Sequence, residues 1–244
     1  MIRKLSLLVL ALTFSAVTMA DEADIKRAME ARLGSKVESV TKTGFLGLYE
    51  VYAGGGIIYT DEKMTAMIIG GDQIPSQFAV NLIDLKANKN ITEDRMKKLT
   101  AIKFADLPLE RAVKQVRGDG KRVLVTFEDP NCGYCKRLAK DLMKVDNVTI
   151  YTFLYPILSE DSVHKSRQIW CSADRARAWN DWMIDGKAPA TKEDCADVAA
   201  VAKNQEFGRK YSITGTPTLF FADGERVPGA VPLAKIEQKL SQTK

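Results

Sequence analysis

Hydrophobic and polar positions change rhythm several times along the chain. Residues 1–20 begin with Arg3 and Lys4, run on through an apolar stretch and end in small residues. The segment "EADIKRAMEARL" at 22–33 spaces Ile25, Met29 and Leu33 about one turn apart, which predicts a short amphipathic helix. Four short β-like runs follow: "KVESVTKT", "FLGLYEVYA", "GIIYT" and "MTAMIIGG". Breaks at "GGG" (54–56), "DEK" (61–63) and "GG" (70–71) punctuate them as hairpins do. This is a meander of small strands after one helix. With only about 65 residues its core is thin, and pairing of its sheet edge or apolar face with a second copy would stabilise it.

"NITEDRMKKLTAI" at 90–102 predicts a charged helix, with Thr92 as its cap and Met96, Leu99 and Ile102 near one face. It reads as a linker between two domains. Beyond it, "KRVLVTF" is a near-continuous apolar strand, "CGYCKRLAKDLMKV" has helical spacing through Leu138, Leu142 and Val145, and "NVTIYTFLY" is a second buried strand. Strand, helix, strand at these lengths predicts a βαβ unit with parallel pairing and a right-handed crossover. A helical block over about 161–209 holds Trp170, Trp179 and Trp182, read as core rings. "TPTLFFADGERVPG" predicts two strands turning at Asp223-Gly224, and "PLAKIEQKL" a last helix starting near Pro232. The domain expectation is 1–20 leader, 21–88 N-terminal module, 89–106 linker helix and 107–244 second domain.

The first 20 residues are too short and wrongly flanked for a membrane anchor and read as a secretory signal peptide. Thr18 and Ala20 suit the −3 and −1 positions, so cleavage is expected after Ala20. Removing Arg3 and Lys4 takes the formal charge from +5 to +3, too small a bias to argue for nucleic acid or a membrane surface.

Export changes the meaning of the four cysteines, Cys132, Cys135, Cys171 and Cys195, because an even count outside the cytoplasm favours disulfides. Zinc needs about four ligands. Here the remaining cysteines form no second close pair, and His164, the only histidine, reads as a surface or packing residue. No metal or cofactor is expected. At a helix start, positions i and i+3 lie on one face with Cβ atoms roughly 5–6 Å apart, close to disulfide reach. Cys132, in the first turn, meets free N–H groups and the helix dipole, so it is the better thiolate and nucleophile. Cys135, one turn in, suits resolution of a mixed disulfide. Chain entropy gives roughly 2 kcal/mol for the ring closed by Cys132–Cys135 and roughly 3.5 kcal/mol for that closed by Cys171–Cys195. The first pair is therefore assigned as labile and working, the second as a structural staple. Two buried free thiols remain the alternative for the second pair, and a structural disulfide for the first. Glu128 and Asp129 are acids able to influence thiol proton transfer, with solvated loop carboxylates as the plainer reading.

"FEDPNCGYCKRL", "IWCSADRARAW" with the later Cys195, and "TGTPTLFFADGERVPG" together resemble the periplasmic protein-disulfide isomerases of the DsbC/DsbG family. The resemblance spans the chain after the leader, strongest from about 105 to 244. The dipeptide Gly133-Tyr134 between the cysteines is the DsbC form, where the DsbG branch usually has proline second. The resemblance implies an α+β / α/β protein: a thioredoxin-like fold with a helical insertion, joined by the linker helix to a small cystatin-like N-terminal domain that dimerises. It implies a V-shaped homodimer with two sites facing a cleft. It also implies that Thr216-Pro217 is a cis-proline loop against Cys132 that holds substrate; a proline at a strand start is otherwise ordinary.

The expected function is isomerisation, with some reduction, of misoxidised periplasmic proteins through Cys132 and Cys135, with a membrane thiol reductase of the DsbD type as electron donor. Two alternatives stay open. One is a disulfide donor, the same chemistry in the oxidising direction. The other is a holdase chaperone that grips unfolded chains in an apolar cleft. A reductase for sulfenic acids or for one client is a narrower possibility.

Overall fold

The computed structural model describes residues 21–69, 81–84 and 86–243. The expected leader, its cleavage after Ala20 and the break at 70–71 lie outside them. The described residues fall into two compact units that divide between positions 80 and 81.

In the first unit, α1 spans Glu22–Leu33. The Asp21 side chain accepts from the Asp24 amide at 2.8 Å, and Glu22 and Asp24 sit where the helix dipole favours anions. Gly34, at φ 63°, ends the helix. Ile25 and Met29 are fully buried against Val37, Val40, Tyr49 and Val51 of the sheet. That sheet is antiparallel, in the order β1 (Val37–Lys42), β2 (Leu48–Ala53), β3 (Gly56–Asp61), β4 (Met67–Ile69). Ala53 pairs with Gly56, and Gly54 and Gly55 both have positive φ, so the glycine run makes the two-residue turn that only such residues form cheaply. The second β run starts later than expected. Leu46 and Gly47 take left-handed φ and form a turn, leaving Leu48 to open the strand.

The second unit opens with a two-residue hairpin, β5 (Ile83–Asp84) and β6 (Lys89–Asn90), and helix α2 (Ile91–Thr100). Asn90, not Thr92, caps α2: its side chain accepts from the Glu93 amide at 3.0 Å. Thr92 is buried, and its hydroxyl accepts from the Leu82 amide at 2.8 Å. The helix read as a linker clusters with this unit. Lys97 Nζ lies 3.9 Å from Glu225, and the Ile102 amide donates to Gly224 O at 3.2 Å.

A five-stranded sheet forms the frame, ordered β11 (Arg226–Pro228), β10 (Thr218–Phe221), β8 (Arg122–Glu128), β9 (Val148–Leu154), β7 (Val113–Arg117). Only β8 and β9 pair in parallel, joined through α3 (Gly133–Leu142). Alternation along the strands splits the core. Leu124, Ile150, Leu219 and Phe221 pack with Leu138, Leu142 and Val145 after α3, and with Ile236 and Leu240 of α7 (Leu233–Gln242). Val125, Phe127, Phe153 and Phe220 pack on the other side with Ile102, Tyr155 and Ile213. The helical block is three helices, α4 (Glu160–Trp170), α5 (Arg175–Met183) and α6 (Ala199–Lys210), with irregular chain before α6. Strand β7 carries no apolar alternation that marks it: Val113 is its one fully buried residue, and Val116 is exposed.

Candidate active site

Strand β8 runs to Glu128, the chain turns through 129–131, and α3 begins. Cys132 is the N-cap of α3, with extended backbone, and its Sγ accepts the Cys135 amide at 3.4 Å. The Cys132 thiol also reaches Thr216 O at 3.3 Å, and Thr216-Pro217 is a cis peptide. Cys132 and Cys135 are both unbonded thiols, and Cys135 is fully enclosed among Ala139, Leu154, Trp170, Trp179 and Met183. Gly133 has open space where a side chain would be, and Tyr134 stands 61% exposed beside the pair.

The two thiols are driven apart electrostatically. The Cys135 side chain hydrogen-bonds to Cys132 and, with help from Thr216 and the Cys135 and Tyr134 amides, holds the Cys132 thiol down to about 5 against the opposing effect of burial. Burial pushes Cys135 far above the usual thiol range, and the hydrogen bond to Cys132 and the nearby Glu128 carboxyl push the same way. One sulfur is thus a ready nucleophile and the other a reserve.

The two acids beside the pair are not solvated, which corrects the plainer reading of both. Asp129 is fully buried. Its Oδ1 accepts from the Asn131 amide (2.8 Å) and from Ser162 Oγ (2.8 Å), and its Oδ2 accepts the Ile157 and Leu158 amides (2.8 and 2.9 Å). It is a tie between the cysteine loop, the 157–158 loop and the start of α4. Glu128 is 1% exposed, and burial, together with the charge of Cys132, raises its carboxyl to about 8 against a pull from Thr126.

Of the three tryptophans, Trp170 and Trp179 are core rings, whereas Trp182 braces the site. Its Nε1–H donates to Pro130 O at 2.6 Å, and Lys136 and Lys165 lie over its ring at 4.2 and 4.8 Å. The spacing of the aromatic residues gives no hint of this role. Cys171 and Cys195 are disulfide-bonded with Cα atoms 5.6 Å apart, fastening the end of α4 to the chain before α6, and Cys195 packs on the cluster that holds the two thiols. His164 is an exposed partner of Glu193 at 2.8 Å. Among the described residues no group of three or more His, Cys, Asp or Glu is arranged to hold a metal ion.

The thioredoxin-like domain model matches residues 109–244, and the model of the disulfide bond isomerase N-terminal domain matches residues 16–93. The probable thiol:disulfide interchange protein DsbC of Bordetella pertussis is 46% identical over 207 residues, covering 85% of this chain and 69% of the relative. This chain belongs to the DsbC family. The DsbC of Escherichia coli K12 is 24% identical over 234 residues, covering 94% of this chain and 91% of that one. A disulfide interchange protein from Neisseria gonorrhoeae superposes with a TM-score of 0.53 at 38% identity, over 56% of this chain and 98% of that structure. As a DsbC-family protein it is a thiol–disulfide interchange enzyme, with a thioredoxin-like domain behind a DsbC-type N-terminal domain. No helix among the described residues is long and apolar enough to cross a membrane.

Proposed function

We propose that this enzyme works through Cys132 as nucleophile and Cys135 as resolving thiol, shuffling wrong disulfides in exported proteins. The thiolate of Cys132 attacks a client disulfide, forming one Cys132–client bond and releasing the second client sulfur as a thiolate. That thiolate attacks elsewhere in the client, and the Cys132 thiolate is returned. When a complex stalls, Cys135 displaces the client and the enzyme is oxidised. The observation that carries this reading is the split between the two sulfurs: the N-cap thiol held down, the enclosed thiol pushed up.

The Thr216-Pro217 turn beside Cys132 suits recognition of extended client backbone, which tolerates many sequences. A membrane reductase of the DsbD type would restore the dithiol. The Cys171–Cys195 disulfide suits an oxidising compartment, and with the N-terminal pattern it supports export to the periplasm after cleavage at Ala20. The edge strand β4 exposes Ile68 and Ile69, which supports pairing of the N-terminal units of two copies into a homodimer. The domain expectation places that module at 21–88 and the catalytic domain at 107–244. A chain starting at Asn81 should be a monomer that keeps its thiol chemistry; a dimer after that deletion would refute the assignment.

The deciding experiment is refolding of a scrambled multi-disulfide protein in glutathione buffer, comparing wild type with Cys132→Ala and Cys135→Ala. Recovery that dies with Cys132→Ala and partly survives Cys135→Ala supports isomerisation. Rapid oxidation of a reduced client without recovery would make the enzyme a disulfide donor. A holdase activity has its own support in the exposed Tyr134, Ile157 and Leu158 around the site. Suppression of aggregation should then persist in Cys132→Ala.

A further inference from the structure

Around the reactive sulfur the acids are neutralised and the bases are not. We propose that Arg137, carried on the exposed Tyr134 ring, selects client disulfides whose cysteines lie among acidic residues. The proposal rests on the reading of Cys132 as nucleophile and adds the kind of client that this nucleophile prefers.

The sequence places both groups. In "CGYCKRLAK", Tyr134, Arg137 and Lys140 recur every third residue, so they share one face of α3. Cys135, Leu138, Ala139 and Leu142 are buried on the other side, which turns the first three outward. The Arg137 guanidinium lies 5.3 Å from the centre of the Tyr134 ring. Stacking on an aromatic face holds a guanidinium in place without neutralising it.

The carboxylates nearby do not answer these cations. Glu128 is buried, and burial raises its carboxyl to about 8, so it is uncharged near neutral pH. Asp129 is buried with four donors on its two oxygens. Asp141 is paired with Lys144 and Asp161 with Lys165, and among the described residues neither Arg137 nor Lys140 has a carboxylate partner. Glu160 and Arg209, one of each sign, line the groove beside the 157–158 loop. Lys136 lies over Trp182 and adds a third positive charge to α3. The field at the start of α3 is therefore positive.

That field decides which clients are favoured. The Cys132 thiolate by itself would repel an acidic client and draw a basic one. Arg137 lies about 7.5 Å further along the helix axis than Cys132. An extended chain advances about 3.3 Å per residue, so a carboxylate two or three residues from the reacting client cysteine is within reach of the guanidinium. The planar guanidinium suits a carboxylate, and long-range attraction raises the rate of encounter. Arg137 takes no part in the exchange itself. It is a specificity-determining residue, and Tyr134 positions it.

The test uses the reduced full-length protein and two disulfide-linked homodimers of a short end-blocked peptide, its cysteine flanked on both sides by Asp in one and by Lys in the other. Attack is followed in stopped flow by loss of the Cys132 thiolate absorbance. Each rate is divided by that of the same peptide with mercaptoethanol, which removes the intrinsic reactivity of the disulfide. The ratio of the two corrected rates then cancels any change in Cys132 itself. At low ionic strength the Asp peptide should react about 10-fold faster than the Lys peptide, and the ratio should fall toward one in molar salt. Arg137→Gln should remove most of the preference, and Arg137→Glu should invert it. Tyr134→Phe should keep it, and Tyr134→Ser should reduce it several-fold. Equal corrected rates in wild type overturn the proposal, as does a preference that Arg137→Glu leaves in place. A preference that molar salt does not reduce is also contrary, and that measurement needs no variant. No reaction with either peptide would overturn the role given to Cys132 and this selection with it, whereas equal rates leave that role standing.

Discussion

The Ser162 hydroxyl donates to Asp129 Oδ1 at 2.8 Å, joining the start of α4 to the loop that presents Cys132. Three backbone amides complete the set around the same carboxylate. Replacing Asp129 by Asn turns an NH2 group toward donors and leaves at least one of them unpaired in a buried place. The expected loss is about 3 kcal/mol by urea denaturation, with Ser162→Ala costing only about 1 kcal/mol. Equal stability of Asp129→Asn and wild type would show that the tie is dispensable.

Trp182 offers a second handle on the same loop. Trp182→Phe removes the donor to Pro130 O and weakens the ring over which Lys136 and Lys165 lie. A loss of about 1–2 kcal/mol is expected. With the loop loosened, the Cys135 amide and thiol hold the Cys132 sulfur less well, so its thiolate titration, followed by ultraviolet absorbance, should move upward. A lower midpoint would mean that Trp182 does not support the geometry of the N-cap.

Much of this was legible in the chain. The βαβ unit showed itself because β8 and β9 are buried on both faces and α3 has a single apolar stripe. Asp223-Gly224 marked its hairpin through the positive φ that Gly224 adopts. The cysteine motif at a helix start gave the site. The rest depends on long-range contacts that leave no periodic trace. Edge strand β7 is held by pairing with β9, not by its own pattern. Asp129 and Glu128 looked like ordinary loop acids because their burial is created by α4, α3 and the 157–158 loop, distant in sequence. Asn90 displaced Thr92 as a cap because Thr92 found a tertiary partner in Leu82.

The staple can be separated from the working pair. Replacing Cys171 and Cys195 together by serine should cost roughly 3 kcal/mol, since the bond closes a loop between residues 24 apart. Alkylation of Cys132 should keep its rate and pH dependence. A large change in that rate would show that the packing of Cys195 on the thiol cluster tunes the site as well.

Gly208 in α6 has no room for a side chain, because a Cβ there would overlap the Tyr155 ring. Tyr155 is buried, and its hydroxyl donates to Ile213 O at 2.8 Å, just ahead of Gly215-Thr216-Pro217. Gly208→Ala should therefore destabilise by about 1–3 kcal/mol and disturb the turn beside Cys132. The expected kinetic signature is a raised KM for a peptide disulfide together with a lowered melting temperature. An unchanged KM would separate Tyr155 packing from client binding.

The reduced and oxidised forms should answer pH differently. Cys132 is held down to about 5, far below an unfolded thiol at ~8.5, so its contribution to stability is full above the unfolded value and is lost as pH falls through about 5. Glu128 runs the other way. Its folded carboxyl, raised to about 8 from an unfolded ~4.3, contributes fully at low pH and loses that contribution as pH rises toward 8. Between about 5 and 8 the two slopes oppose each other in the reduced protein. The Cys132–Cys135 disulfide abolishes the cysteine titration and leaves that of Glu128, so the oxidised form loses stability with rising pH over that window. Urea denaturation of both forms across this range should show the reduced form gaining on the oxidised one as pH rises. A reduced form that gains nothing on the oxidised one as pH rises would contradict a depressed Cys132, because Cys135, the other thiol lost on oxidation, is pushed up by burial from ~8.5 and so titrates above that window.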